Sequence, residues 1–134
     1  MTSEQEMAVA TVRRFVDREV IPVASAMERS GEYPDALVEQ MIHLGLFGLN
    51  VPEEYGGAAM NYTTFAMIFE ELARGWLGLA GILGTHLVVC DILERFGTAG
   101  QKQYFLPMLA RPLYIFPKMK PGWLEQRNKA HYIL

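Results

Sequence analysis

Two carboxylate pairs, Glu53-Glu54 and Glu70-Glu71, are the residues whose types best suit acid–base chemistry. That chemistry needs two carboxylates converging on one substrate. Neighbours on a helix point about 100° apart, so Glu70 and Glu71 do not share a site. All four read as solvated or ion-paired surface charge. His86 lies in an apolar stretch and reads as a hydrogen-bonded interior or interface imidazole. His43 and His131 have no companions at metal-ligand spacing. Cys90 is the single cysteine, so no internal disulfide and no cysteine-based zinc site can form. Remote from a helix start and from cations, it reads as inert core. No hydroxyl sits in a nucleophile elbow. Gly56-Gly57 reads as a tight turn, because no Gly-Lys-Ser/Thr follows it. The residues therefore predict neither a catalytic group nor a metal site.

A different pattern is more informative. Glycines stand at 75, 78, 81 and 84 in a nearly uncharged stretch. An interior helical glycine costs about 1 kcal/mol relative to alanine. Close approach of a neighbouring helix is the expected compensation.

The elements that position these residues are helices. Ser3 with Glu6 forms a capping box, predicting a start near Glu4. Val9, Val12, Val16, Val20, Val23 and Met27 then form one stripe at steps of three and four. Pro22 deprives the Arg18 carbonyl of its partner and predicts a kink. Gly31 ends this helix. Pro34 suits the first turn of a second, with Leu37, Val38, Met41 and Ile42 buried and Gly45 as its stop. The segment LGLFGLNVPEEYGG (residues 44–57) predicts an extended crossing and a sharp turn. Asn61 caps a third helix, with Phe65, Ile68, Phe69 and Leu72 inward. Glu70 and Arg74 can pair on its outside for about 0.3–0.5 kcal/mol. A fourth helix runs over 76–96 to a left-handed Gly97. Thr98 and Gln101 box the start of a fifth, which Pro107 limits. The prediction is an all-α, compact, bundle-like domain of about five helices over 1–110. An irregular tail follows over 111–134, with a short helix from Leu124.

Composition agrees with a folded core: 134 residues, 51% of them hydrophobic, net charge −3. The charge is divided, −7 over residues 1–110 and +4 over 111–134. The acidic body argues against a nucleic-acid partner. The uncharged stretch of 76–93 is too short to span a bilayer comfortably. The acidic start carries no targeting signal, and the expected location is cytoplasmic.

The order of motifs resembles the N-terminal helical domain of the acyl-CoA dehydrogenases over roughly residues 5–110. The anchors are Pro22, Tyr33-Pro34, LGLFGLNVPEEYGG, FEELAR (69–74) and FGTAGQKQYFLPMLA (96–110). The resemblance implies an FAD-dependent oxidoreductase acting on acyl-CoA. In that family a β-domain binds the flavin, and a last helical domain supplies a glutamate base in most members. Neither segment occurs in this sequence, so no residue here is assigned a catalytic or cofactor-binding role. FAD is expected in the complete family enzyme and is not expected to bind tightly to this chain alone.

The resemblance also implies that the fourth helix borders the acyl pocket. The matching face would be Ala80, Gly81, Gly84 and Val88. Implied partners are the acyl-CoA substrate and the missing β-domain and C-terminal helical domain, or self-association through the face they would cover. The charge reversal after Ala110 predicts a truncated or frame-shifted product, inactive alone. The alternatives are a non-catalytic remnant and a small helical interaction module.

Overall fold

The computed structural model describes residues 2–111. The expectations placed on the tail beyond them lie outside the described residues. Among these residues every regular element is helical. In order they are α1 (Ser3–Phe15), a π-helical turn (Val16–Val20), α2 (Ile21–Ser30) and α3 (Asp35–His43). Two single 3-10 turns follow, Leu46–Gly48 and Glu53–Tyr55, then α4 (Tyr62–Gly75), α5 (Leu77–Phe96) and α6 (Ala99–Ala110). The caps between α1, the π turn and α2 keep right-handed helical dihedrals, so these three make one rod. The result is the five-rod, all-α domain that the sequence predicts.

The first rod departs from expectation in two places. Its capping box is Thr2 with Gln5, one residue ahead of Ser3 and Glu6. Both registers carry the same chemistry, and the earlier one starts the helix a residue sooner. Pro22 is met by a widened turn: the Ile21 N–H donates to the Val16 carbonyl, five residues back. Pro22 has no N–H to offer Arg18, and the wider spacing suits that loss. The extra residue slips the phase of the valine stripe. Val9, Val12, Val16 and Val20 are buried, whereas Val23 is 38% exposed and α2 buries nothing.

Gly31 (φ 68°) and Gly45 (φ 74°) close α2 and α3 in the left-handed region. Pro34 occupies the N-cap of α3, one position before its first turn. The 44–57 segment is coiled into the two 3-10 turns, not extended. Leu46, Phe47, Leu49 and Val51 are all buried. A strand alternates its faces every residue and could not turn both Leu46 and Phe47 to the core. Gly57 closes the segment because a Cβ there would lie 2.0 Å from the Val51 carbonyl oxygen.

In α4, Asn61 caps as expected, accepting from the Thr64 N–H at 2.9 Å. Ile68 and Leu72 are buried, and Phe65 and Phe69 pack half-buried against them. Arg74 pairs with Glu71 and Asp17 instead of Glu70. Gly97 is extended (φ −69°, ψ 151°), not left-handed. The Thr98–Gln101 box begins α6 at once and needs an extended lead-in. Pro107 lies inside α6, which continues to Ala110.

The main core joins α1, the π turn, α3, α4 and α5. A smaller cluster of Val51, Cys90, Leu106 and Leu109 seats α6 on α5. Full burial of side chains such as Leu79, Leu83 and Leu106 contributes about 1.5–3 kcal/mol each.

Candidate functional site

Helix α5 is the element around which the rest is arranged. Its inner face buries Leu79, Ala80, Leu83, His86, Leu87 and Cys90. Three contacts fix its rotation. Gly84 meets α4, where a Cβ would come within 2.8 Å of the Phe69 ring. Asn50 donates through Nδ2 to the Leu87 carbonyl at 2.9 Å, tying the 44–57 segment to mid-helix. His86 lies 3.0 Å through Nε2 from the Leu109 carbonyl at the end of α6, with the Phe47 ring edge-on at 5.0 Å.

So fixed, α5 presents an apolar outer stripe. Leu77 is 69% exposed, Val88 57%, Ile92 53% and Phe96 81%. Their spacing, with Gly81 and Thr85 between, follows one side of a helix. The Thr85 hydroxyl donates to the Gly81 carbonyl at 2.9 Å and so adds no free polar group to the stripe. At its far end sits a polar cluster. The Tyr62 hydroxyl donates to Asp91 at 2.6 Å, and Arg95 reaches both Asp91 and the Tyr62 hydroxyl while its guanidinium lies over the Tyr62 ring.

The four residues assigned to the acyl pocket divide along this surface. Ala80 is wholly buried in the core. Gly84 is half-buried and accommodates Phe69. Gly81 has open space where a Cβ would be, and Val88 stands exposed. The glycine run thus has more than one cause. Gly75 admits Val16, whose Cγ1 would lie 2.6 Å from a Cβ there. Gly84 admits Phe69, while Gly81 touches no neighbour.

His86, Cys90 and Asp91 on α5 are shifted from their ordinary values. Burial pushes the His86 imidazole below its ordinary value, against the hydrogen bond to Leu109 that raises it. Burial pushes the Cys90 thiol up to about 12. Hydrogen bonds from Tyr62 and Arg95 hold the Asp91 carboxyl below the usual range. Near neutral pH these groups are a neutral ring, a neutral thiol and a paired carboxylate. Among the described residues no three His, Cys, Asp or Glu side chains cluster to hold a metal. The helix starts of α1, α4 and α6 are capped by the Thr2, Asn61 and Thr98 side chains, while those of α3 and α5 carry no side-chain cap.

One charged feature was not legible in the sequence. Glu71 is only 8% exposed. It accepts from Arg13 at 2.5 and 2.7 Å and from Arg74 at 3.0 Å, and Arg74 continues to Asp17 at 2.7 Å. These hydrogen bonds, Arg13's foremost, hold its carboxyl below the ordinary carboxylate value. The group is structural, joining α1 and the π turn to α4. α5 is also, by length and hydropathy, the one described helix suited to cross a membrane, yet six of its residues lie in the core.

A family model for the acyl-CoA dehydrogenase N-terminal domain matches residues 2–112. An acyl-CoA dehydrogenase of Bacillus subtilis is 35% identical over 111 residues, 82% of this chain and 29% of that protein. The (2S)-methylsuccinyl-CoA dehydrogenase of Cereibacter sphaeroides is 37% identical over 128 residues, 91% of this chain and 23% of its own length. The crystal structure of an acyl-CoA dehydrogenase from Bacillus anthracis, complexed with FAD, superposes with a TM-score of 0.72 at 33% identity. That superposition covers 83% of this chain and 20% of the other. The chain therefore spans less than a third of the length of each of these relatives. With this superposition and a family match running from the first cap to the end of α6, this chain belongs to the acyl-CoA dehydrogenase family, whose N-terminal helical domain it contains.

Proposed function

We propose that this chain is the helical front part of an FAD-dependent acyl-CoA dehydrogenase and contributes one wall of its acyl-binding cavity. The observation that carries this reading is the apolar stripe of α5 on a domain matched by the family from residue 2 to 112. A thioester's acyl chain needs an apolar, water-excluding surface, and Gly81 and Val88 offer one with open space beside it. Ala80 and Gly84 back that surface from the core side. Oxidation itself needs a flavin and a base to take the α-proton. The inventory of α5 supplies neither, so the reading assigns both to polypeptide outside the described residues.

The chain alone is proposed to be inactive. The test is to purify it with excess FAD, then measure co-eluting flavin absorbance and turnover of an acyl-CoA with an artificial electron acceptor. Colourless protein without turnover is expected. Flavin retention with turnover overturns the reading that the chemistry lies elsewhere.

A second reading rests on the same stripe. Exposed together, Leu77, Val88, Ile92 and Phe96 make an apolar patch of the kind that marks interfaces. Without covering domains it favours self-association. Sedimentation that depends on concentration, and is abolished by Ile92→Glu, would support an interaction module.

A further inference from the structure

On the side of the molecule formed by α1 and α3 lies a cleft of about 370 Å³. Its floor is apolar: Phe15, 7% exposed, and Leu44, 37% exposed. Arg14 and Arg18 stand on one rim, four residues apart along the first rod. Arg14 is steadied there by donating to the Thr11 hydroxyl at 3.0 Å. Gln40 and His43 form the opposite rim, and Glu19 lines the cleft beside Arg18.

The two arginines differ from the paired arginines of this acidic body, and unlike Arg29, which is also without an ion pair, they line a cleft together. Arg13, Arg74 and Arg95 are each engaged by a carboxylate. Among the described residues Arg14 and Arg18 make no ion pair. Two uncommitted guanidiniums beside an apolar floor attract a ligand that carries negative charge and an apolar group together. Two features decide what kind of ligand. The cleft is open to solvent along its length, unlike the enclosed pockets that bury most of a small molecule. α3 also ends at Leu44, bringing its negative dipole end to the cleft. Together with Glu19, this disfavours a compact dianion such as phosphate on the floor. Carboxylates spread along an extended chain can meet each guanidinium from the solvent side, leaving the floor for an apolar side chain.

We propose that the α1–α3 cleft docks an acidic segment of a partner protein. Two carboxylates of that segment engage Arg14 and Arg18 and flank one apolar side chain seated on Phe15 and Leu44. This site is separate from the α5 wall and does not depend on it.

The test uses the full chain, isotopically labelled, titrated with acetyl-Glu-Ser-Leu-Ser-Glu-amide while amide resonances are followed. Saturable shifts confined to residues around Thr11–Glu19 and Gln40–Leu44 are expected. Arg14→Gln with Arg18→Gln should weaken binding about tenfold, the effect of two solvent-facing ion pairs. Replacing the peptide's leucine by serine should weaken it comparably. Both arginines are exposed, so unchanged core resonances will show that the variant is folded. No shift at millimolar peptide overturns the proposal, as does equal affinity for the double variant. Full displacement by inorganic phosphate, with no dependence on the leucine, also overturns it by marking a simple anion site.

Discussion

His86 Nε2 lies 3.0 Å from the Leu109 carbonyl oxygen, and the ring is wholly buried. Leu109 is in the last turn of α6, where carbonyls have no partner within the helix. A side chain 23 residues earlier thus caps the helix from inside the core. His86→Leu should cost about 1–3 kcal/mol, because the Leu109 carbonyl would remain buried without a donor. Urea denaturation at pH 8 measures the loss.

The same residue sets a pH dependence. Its folded-state pKa lies below the ordinary 6.5, so the unfolded chain binds the proton first as pH falls. Stability contributed by the neutral ring is complete above about pH 6.5 and declines below it toward the folded value. Stability measured from pH 8 to 5 should fall, and His86→Gln should flatten that slope. An identical slope in the variant would place the dependence elsewhere.

Gly75→Ala and Gly81→Ala should have opposite signs. A Cβ at Gly75 would lie 2.6 Å from Val16 Cγ1, and Val20 lies just beyond. The rod must shift, at about 1–3 kcal/mol. At Gly81 a Cβ meets nothing within 4 Å, and the better helix former should add about 0.5–1 kcal/mol. Thermal unfolding of the pair against the parent resolves the two directions.

Glu71→Gln removes a carboxylate that Arg13 and Arg74 share. Its folded pKa is lowered from 4.5, so its stabilisation is present above that value and lost as pH falls through the folded one. The variant should have a lower urea midpoint than the parent at pH 7. The two midpoints should converge on acidification below the folded value.

The proposed wall can be tested by joining residues 1–110 to the remaining domains of a relative. Gly81→Leu should shift preference toward shorter acyl chains, by about tenfold in relative kcat/KM. Gly84→Leu should instead lower stability, since its Cβ starts 2.8 Å from Phe69. An unchanged chain-length profile in Gly81→Leu would remove the α5 stripe from the cavity.

Local signals are legible in the sequence. Asn61, Thr98, Gly31 and Gly45 act through neighbours within four residues, and each sits at the helix end it marked. Errors arose where a partner is remote or a count slips. Glu71 reads as solvated or ion-paired surface charge; the ion pairs are there, but its burial is not legible because Arg13 is 58 residues away. A C-terminal glycine usually suits the left-handed region, as the sequence predicts for Gly97, but the Thr98 box demands extended backbone there. Pro107 reads as a limit on the fifth helix; α6 carries it and runs one further turn to Ala110, with Leu106 and Leu109 buried. The four residues that the resemblance assigns to the pocket share helical spacing on α5, but spacing alone does not settle which way each faces. It did not reveal that Ala80 belongs to the core and that Gly84 accommodates a phenylalanine.

The widened turn at Val16–Val20 makes the first rod two instruments joined end to end. Upstream of it, every fourth or third position is committed to the interior. Downstream, α2 is a ten-residue spur with no buried side chain, braced by Glu28 against the Trp76 indole. Sequence drift along the spur is therefore nearly free of consequence for the interior. It is the natural place to graft a label or an epitope without disturbing the rest of the molecule.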